Sequence, residues 1–230
     1  MCGRYTLFTP QETLEERFDA SFGEPIEPRY NCSPGQPLPV LTGDEPDQFS
    51  FKKWGLIPRW AEDDSTSFIN ARGESVRQKR SFAEPFESRR CLVPADGFYE
   101  WSQQGDRKQP YRVSFEDDRP FAMAGLWERW TPPTRQTGLG EFGGSARDET
   151  EPVETFTVVT TEPNSVVSEH HHRMAVVLSP EEEETWLHGT ASEAEQLLGP
   201  APADEWHAYP VSTKVNSPAH DGPELVDAVR

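Results

Sequence analysis

The amino-acid sequence predicts an α+β fold, with one β-rich domain and short helices at its periphery. Three observations carry that expectation. Strand-like runs outnumber helical ones, and nearly all are short. The 230 residues contain no internal repeat and no recognisable linker, so residues 1–230 suit one domain long enough to bury a sizeable core. The three cysteines, Cys2, Cys32 and Cys91, are odd in number and widely spaced. That argues against a disulfide framework and for a reducing cytoplasm.

The elements follow in chain order. Thr9-Pro10-Gln11-Glu12 starts a helix, with Thr9 as cap, Pro10 at the first helical position and Glu12 completing a capping box. Leu14, Phe18 and Phe22 give that helix an apolar face. Arg29-Tyr30-Asn31-Cys32-Ser33-Pro34-Gly35 reads as a loop. Val40-Leu41 and Phe49-Ser50-Phe51 read as strands around a polar turn. After Asn70-Ala71-Arg72, a helix through Val76 and Phe82 is expected, carrying Arg77, Lys79 and Arg80. Cys91–Pro94, Gly97–Trp101, Tyr111–Phe115 and Phe121–Trp130 read as strands, with a turn over 102–109. Residues 131–152 are rich in Pro, Gly, Thr and acids, and are expected to form a surface insertion loop. Thr155–Thr161 alternates β-branched residues as a strand does. Pro163–Ser168 is a short helix and Ala175–Leu178 an apolar strand. Ser179-Pro180-Glu181-Glu182 caps a further helix, Ala191–Leu198 is another, and Tyr209–Ser212 is an edge strand.

Composition narrows the function. The net charge is −18, from 40 acidic and 22 basic residues, and only five of the basic residues are Lys. An acidic shell poor in Lys is read as halophilic adaptation, a statement about solubility rather than fold. The charge is uneven. Residues 52–90 hold 9 basic and 6 acidic residues, net +3, whereas residues 1–51 are net −6 and residues 91–230 net −15. That basic segment also holds Trp54 and Trp60. Tryptophans usually belong to a core, but beside Lys52, Lys53 and Arg59 they could stack exposed bases. No run of 18 apolar residues exists, so no membrane span is expected. The N-terminus lacks a basic region followed by an apolar one and does not read as a signal peptide.

The chemistry concentrates at Met1-Cys2-Gly3-Arg4. Cys is small enough for the initiator Met to be removed, which leaves Cys2 with a free α-amine and a thiol on adjacent carbons. Their ordinary pKa values are about 7.7–8.0 and 8.5. The amine can add to an aldehyde as a Schiff base, and the thiol can close a thiazolidine on the same carbon. Acid and base partners are available. Glu100, between Tyr99 and Trp101, is costly there unless paired or working. A His in His170-His171-His172 can move protons near neutrality. The Asn70 amide can hold an oxygen. Metal is not expected: the histidines lack the H-E-x-x-H spacing, and no C-x-x-C is present. Phosphate-cradling glycine loops and a G-x-S-x-G elbow are also missing. No cofactor is expected.

Six blocks then occur in a familiar order. They are Met1-Cys2-Gly3-Arg4-Tyr5; Arg29-Tyr30-Asn31 with Pro34; Trp54-Gly55-Leu56-Ile57-Pro58; Asn70-Ala71-Arg72 with Glu74; Cys91 through Trp101; and His171-His172-Arg173-Met174. Together they resemble the SOS-response-associated peptidase family, over nearly the whole chain. The resemblance implies a β-rich α+β domain with a central barrel-like sheet and a groove for single-stranded DNA. It implies covalent crosslinking to abasic sites through Cys2, with Asn70, Glu100 and His171 as active-site partners. His171 is chosen because Arg173-Met174 fix the register. Ala175 stands where the family usually has Pro, which keeps His170 and His172 as alternatives. DNA contacts are expected from Arg4, Trp54, Trp60, Arg72, Arg77 and Arg80. The expected partner is single-stranded DNA containing abasic sites, met by a monomer in the cytoplasm and on the nucleoid after damage, with no membrane. A thiol peptidase that acts on its own Met1, and a DNA-binding module without chemistry, are the competing readings.

Overall fold

The computed structural model describes residues 2–133 and 151–229. Among the described residues there are fourteen strands: β1 (Tyr5–Leu7), β2 (Ser21–Phe22), β3 (Arg29–Cys32), β4 (Pro37–Thr42), β5 (Glu45–Trp54), β6 (Asn70–Arg72), β7 (Arg90–Ala95), β8 (Gly97–Gln104), β9 (Arg107–Phe115), β10 (Phe121–Trp130), β11 (Val153–Thr161), β12 (Met174–Ala175), β13 (Val177–Leu178) and β14 (Trp206–Pro210). Five short helices accompany them: α1 (Gln11–Phe18), α2 (Ala83–Ser88), α3 (Ser165–Ser168), α4 (Pro180–His188) and α5 (Ala191–Gln196). Among the described residues no helix is long and apolar enough to cross a membrane.

Two sheets organise the chain. In the larger, β11, β10, β7, β4 and β5 pair in succession, and β5 returns to β11 through the parallel pairs Lys53–Thr155 and Trp54–Phe156. That last pairing closes five strands into a barrel, which removes their free edges. The smaller sheet runs β14-β9-β8-β1-β3. The chain passes between the two at Asp96-Gly97, where β7 ends and β8 begins. Gly97 is required there because a Cβ would lie 2.8 Å from the Arg112 guanidinium. Burial follows the strand period where one face is wet and becomes continuous in β7, whose six residues are all buried.

Several expectations are corrected. Arg29–Cys32 is the strand β3 rather than a loop, paired with β1 through Tyr5–Cys32 and Leu7–Arg29. Thr9 does not cap α1. Its Oγ1 and its amide turn instead to Asp96 Oδ2, at 3.0 and 2.8 Å. A left-handed Asp19 (φ 48°) ends α1, so Leu14 and Phe18 share its apolar face while Phe22 falls in β2. The helix expected through Val76 and Phe82 is a series of turns, and α2 begins only at Ala83. Two apolar positions in seven bury too little to hold a helix, and Pro85 suits a first helical turn, where its missing N–H has no intrahelical role. The turn expected over 102–109 shrinks to Gly105-Asp106, with Gly105 at φ 58°. Ala175–Leu178 divides into β12 and β13, which pair with different strands. The expected capping box of α4 is present. Of the 131–152 insertion, residues 134–150 lie outside the described residues, and 131–133 and 151–152 carry no regular structure.

Candidate active site

Strand β1 delivers Cys2. It pairs antiparallel with β8, Tyr5 opposite Phe98 and Thr6 opposite Gly97, and the Tyr99 amide donates to the Arg4 carbonyl at 3.0 Å. The same register carried two residues further sets Gly3 opposite Glu100. At the far end of β1, Asp96 Oδ2 accepts from the Phe8 amide at 2.6 Å. Asn70 heads β6, which lies parallel on β11 with Asn70 opposite Val158. Its Nδ2 donates to the Cys2 carbonyl at 3.0 Å. His171 follows α3, and its Nδ1 is 3.7 Å from Glu100 Oε2. Four residues far apart in the sequence, Cys2, Asn70, Glu100 and His171, thus meet at one point.

The electrostatics suit proton transfer. Glu100 is 1% exposed, and burial pushes its carboxyl up to about 7. Burial also lowers the His171 imidazole below its ordinary value. His171 Nδ1 lies 3.0 Å from both the amide and the carbonyl of Arg173, so the backbone there can meet either protonation state of that nitrogen. Near neutrality the pair therefore offers a carboxyl able to hold or release a proton beside a neutral imidazole. Cys2 is wholly buried, and burial first, then the Glu100 charge, pushes its thiol up. Thiolate is scarcer here than the sequence reading assumed. A cavity of about 520 Å³, lined by Glu100, Trp101, Lys108, His171 and Asn216, opens beside these groups.

The histidines separate by contact. His170 Nδ1 sits 2.7 Å from Ser102 Oγ, with its ring stacked on Tyr111 at 4.1 Å. His172 is exposed, with its ring 4.3 Å from that of His171. Only His171 has an ion-pair approach to Glu100 among the described residues. Ala175 lies in β12 opposite Thr160 and continues a strand. Arg173 is fixed by Glu74, at 2.9 Å for one of its contacts, and by the Thr160 carbonyl at 2.6 Å. Among the described residues no three His, Cys, Asp or Glu side chains form a cluster able to hold a metal ion.

The expected DNA contacts fare unequally. Arg4 bends over the site, donating to the Gly3 and Asn216 carbonyls at 3.1 and 3.4 Å. Arg72 is exposed at the end of β6. Trp60 is 42% exposed, with the Arg80 guanidinium 4.9 Å from its ring centre. Trp54 is a correction. It is 1% exposed, donates Nε1 to the Ile69 carbonyl and stacks on Phe156, so it has no face to offer a base. Arg77 is drawn to carboxylates of α5 and α2, pairing with Glu195 at 2.7 Å and with Glu87 at 3.5 Å. Sequence reasoning missed Trp101, Lys108 and Asn216. Trp101 adjoins Glu100, and the β8–β9 hairpin brings Lys108 opposite Gln103, signals a reader could have used. Asn216 arrives from the far end of the chain, and nothing local announces it.

Comparison with known proteins gives these groups a context. The family model described as SOS response associated peptidase matches residues 1–218. The abasic site processing protein YoqW of Bacillus subtilis is 37% identical, covering 99% of this chain and 100% of its own. The abasic site processing protein HMCES of Gallus gallus is 34% identical, covering 86% of this chain and 66% of its own. A crystal structure of a protein from Bacteroides thetaiotaomicron superposes with a TM-score of 0.85 at 27% identity, over 100% of both chains.

Proposed function

The chain belongs to the SOS response associated peptidase family, and from that premise we propose that it captures abasic sites in single-stranded DNA covalently through Cys2. The observation that carries the reading is the meeting of Cys2 with Asn70 at 3.0 Å and of Glu100 with His171 at 3.7 Å. The names of its relatives, abasic site processing proteins, supply the substrate.

Removal of Met1 frees the Cys2 amine. The ring-open sugar of an abasic site presents an aldehyde. The amine adds to it, and loss of one water gives an imine. The thiol then adds across the C=N bond, so the S–C bond forms and the thiol proton ends, net, on nitrogen. Because burial holds that thiol protonated, a nearby base is needed to take the proton and return it. Glu100, poised near 7, fills that role, and neutral His171 assists opening of the sugar ring. Asn70 holds the Cys2 carbonyl, which fixes the amine and thiol relative to the sugar. The product lacks the free aldehyde and so resists strand elimination. No cofactor enters.

The test is single-turnover crosslinking to an abasic single strand. Cys2→Ala is expected to abolish the heat-stable complex while leaving noncovalent binding largely intact. Cys2→Ser is expected to leave at most a labile imine. A stable crosslink of normal yield from Cys2→Ala would overturn the proposal.

A further inference from the structure

The Arg29-Tyr30-Asn31 block has no part in the chemistry above, yet it makes a dense set of contacts. Asn31 is wholly buried, and its Nδ2 lies 3.2, 3.1 and 2.8 Å from the carbonyls of Val215, Ser217 and His220. Asp221 replies. Its Oδ1 accepts from the amides of Tyr30 at 2.6 Å and Asn31 at 2.9 Å, and its Oδ2 pairs with Arg29 Nε at 2.6 Å. Residues 213–221 are therefore a strap tied across β3. Val215 and Leu225 pin it from below in a small apolar cluster with Tyr99. Asn216 is an exposed residue of the strap and lines the cavity with Glu100 and His171.

Asn216 is held in one orientation. Its Oδ1 accepts from Trp101 Nε1 at 2.8 Å. An indole N–H can only donate, so the bonded atom is oxygen and the amide NH₂ is left pointing away from the indole. Its backbone carbonyl accepts from Arg4 Nη2 at 3.4 Å. One exposed residue thus touches two groups at the rim of the cavity and keeps two donors to spare. A phosphodiester oxygen accepts such donors readily.

We infer that Asn216 is a strand-positioning residue: its Oδ1 sets Trp101 at the cavity rim, and its Nδ2 donates to a backbone phosphate of the bound strand. The inference rests on the proposed function and deepens it. Arg29-Tyr30-Asn31 then acts at one remove, as the anchor of the strap that presents Asn216.

The experiment compares wild type, Asn216→Asp and Asn216→Ala. Asn216→Asp keeps an acceptor for Trp101 but removes the donors and adds a charge that repels phosphate. Asn216 is exposed, so both variants are expected to fold, and their thermal unfolding should match wild type. Two readouts are taken: fluorescence anisotropy with a labelled single strand lacking abasic sites, and single-turnover crosslinking against DNA concentration. Asn216→Asp is expected to weaken strand binding and raise the half-saturating concentration about tenfold, as for loss of a hydrogen bond to a charged group. Its maximal crosslinking rate should stay within about threefold of wild type. Asn216→Ala should fall between. Equal affinities for wild type and Asn216→Asp would overturn the inference, as would a lower maximal rate at unchanged half-saturation. If wild type binds the strand but forms no adduct, the proposed function falls while anisotropy still decides Asn216. If wild type binds no strand, both fall.

Discussion

At the scale of the residue, Glu100 makes a prediction whose sign is fixed by its burial. Its carboxyl is raised from 4.5 to about 7, so the folded chain holds the proton more tightly than the unfolded chain. The stability gained from that proton is full below about 4.5 and is lost as pH rises through 7. Glu100→Gln removes the penalty. Thermal unfolding should show the variant level with wild type at pH 4 and more stable at pH 8.5, by about 3 kcal/mol at most. The opposite sign, or no pH dependence, would refute the assignment. In single-turnover crosslinking the same variant and His171→Ala should each be slower, by up to about 10²–10⁴-fold. Their effects should not add, since both act on one sequence of steps. The two tryptophans of the basic segment divide in the same way. Trp54→Ala opens a buried cavity and should cost about 3–5 kcal/mol of stability. Trp60→Ala should change stability by less than about 0.5 kcal/mol and weaken single-strand binding by about 1–3 kcal/mol. Denaturant melts and binding isotherms on both variants check the division.

At the scale of the element, what could be read depended on how local the cause was. Phe121–Trp130 and Thr155–Thr161 announce strands through their own β-branched and aromatic residues, and β10 and β11 lie there. Ser179-Pro180-Glu181-Glu182 announces a cap through contacts three residues apart, and the capping box is formed. Arg29–Cys32 misleads because its side chains are polar and Pro34-Gly35 follow. It becomes a strand only through β1 and through Asp221, 190 residues from Asn31. Thr9 looks like a cap, but a buried carboxylate at Asp96 claims its hydroxyl and amide. The proposed catalytic partners were legible in part. Cys2 declares itself by its position, and Glu100 by a carboxylate between aromatics. Which histidine of three faces Glu100, and that Asn70 reaches the Cys2 carbonyl, depend on β6 lying along β11 and on the segment after α3 reaching Glu100 of β8.

At the scale of the whole molecule, barrel closure and charge govern the proposed encounter with DNA. The closing contact joins Lys53-Trp54 to Thr155-Phe156 across about a hundred residues, a pairing with no local signature in either segment. A chain of net charge −18 that binds a polyanion must do so through a few cations, and Arg72 and Arg80 are among the exposed cations of the basic segment, Arg80 lying over the Trp60 ring. Arg72→Ala and Arg80→Ala should each weaken binding of any single strand and reduce the slope of log affinity against log salt by roughly 0.7, the value for one phosphate contact. Arg77→Ala, whose guanidinium is engaged by Glu195 and Glu87, should leave the slope nearly unchanged. Equal slopes for all three variants and wild type would place the strand elsewhere. The central claim, covalent capture by the freed terminus, is tested most directly by intact mass spectrometry of the purified protein before and after mixing with abasic single-stranded DNA. The predicted protein mass lacks Met1, and the predicted adduct is that mass plus the oligonucleotide less one water, surviving heat and lost in Cys2→Ala. Retained Met1, or no adduct from the wild-type chain, would contradict it.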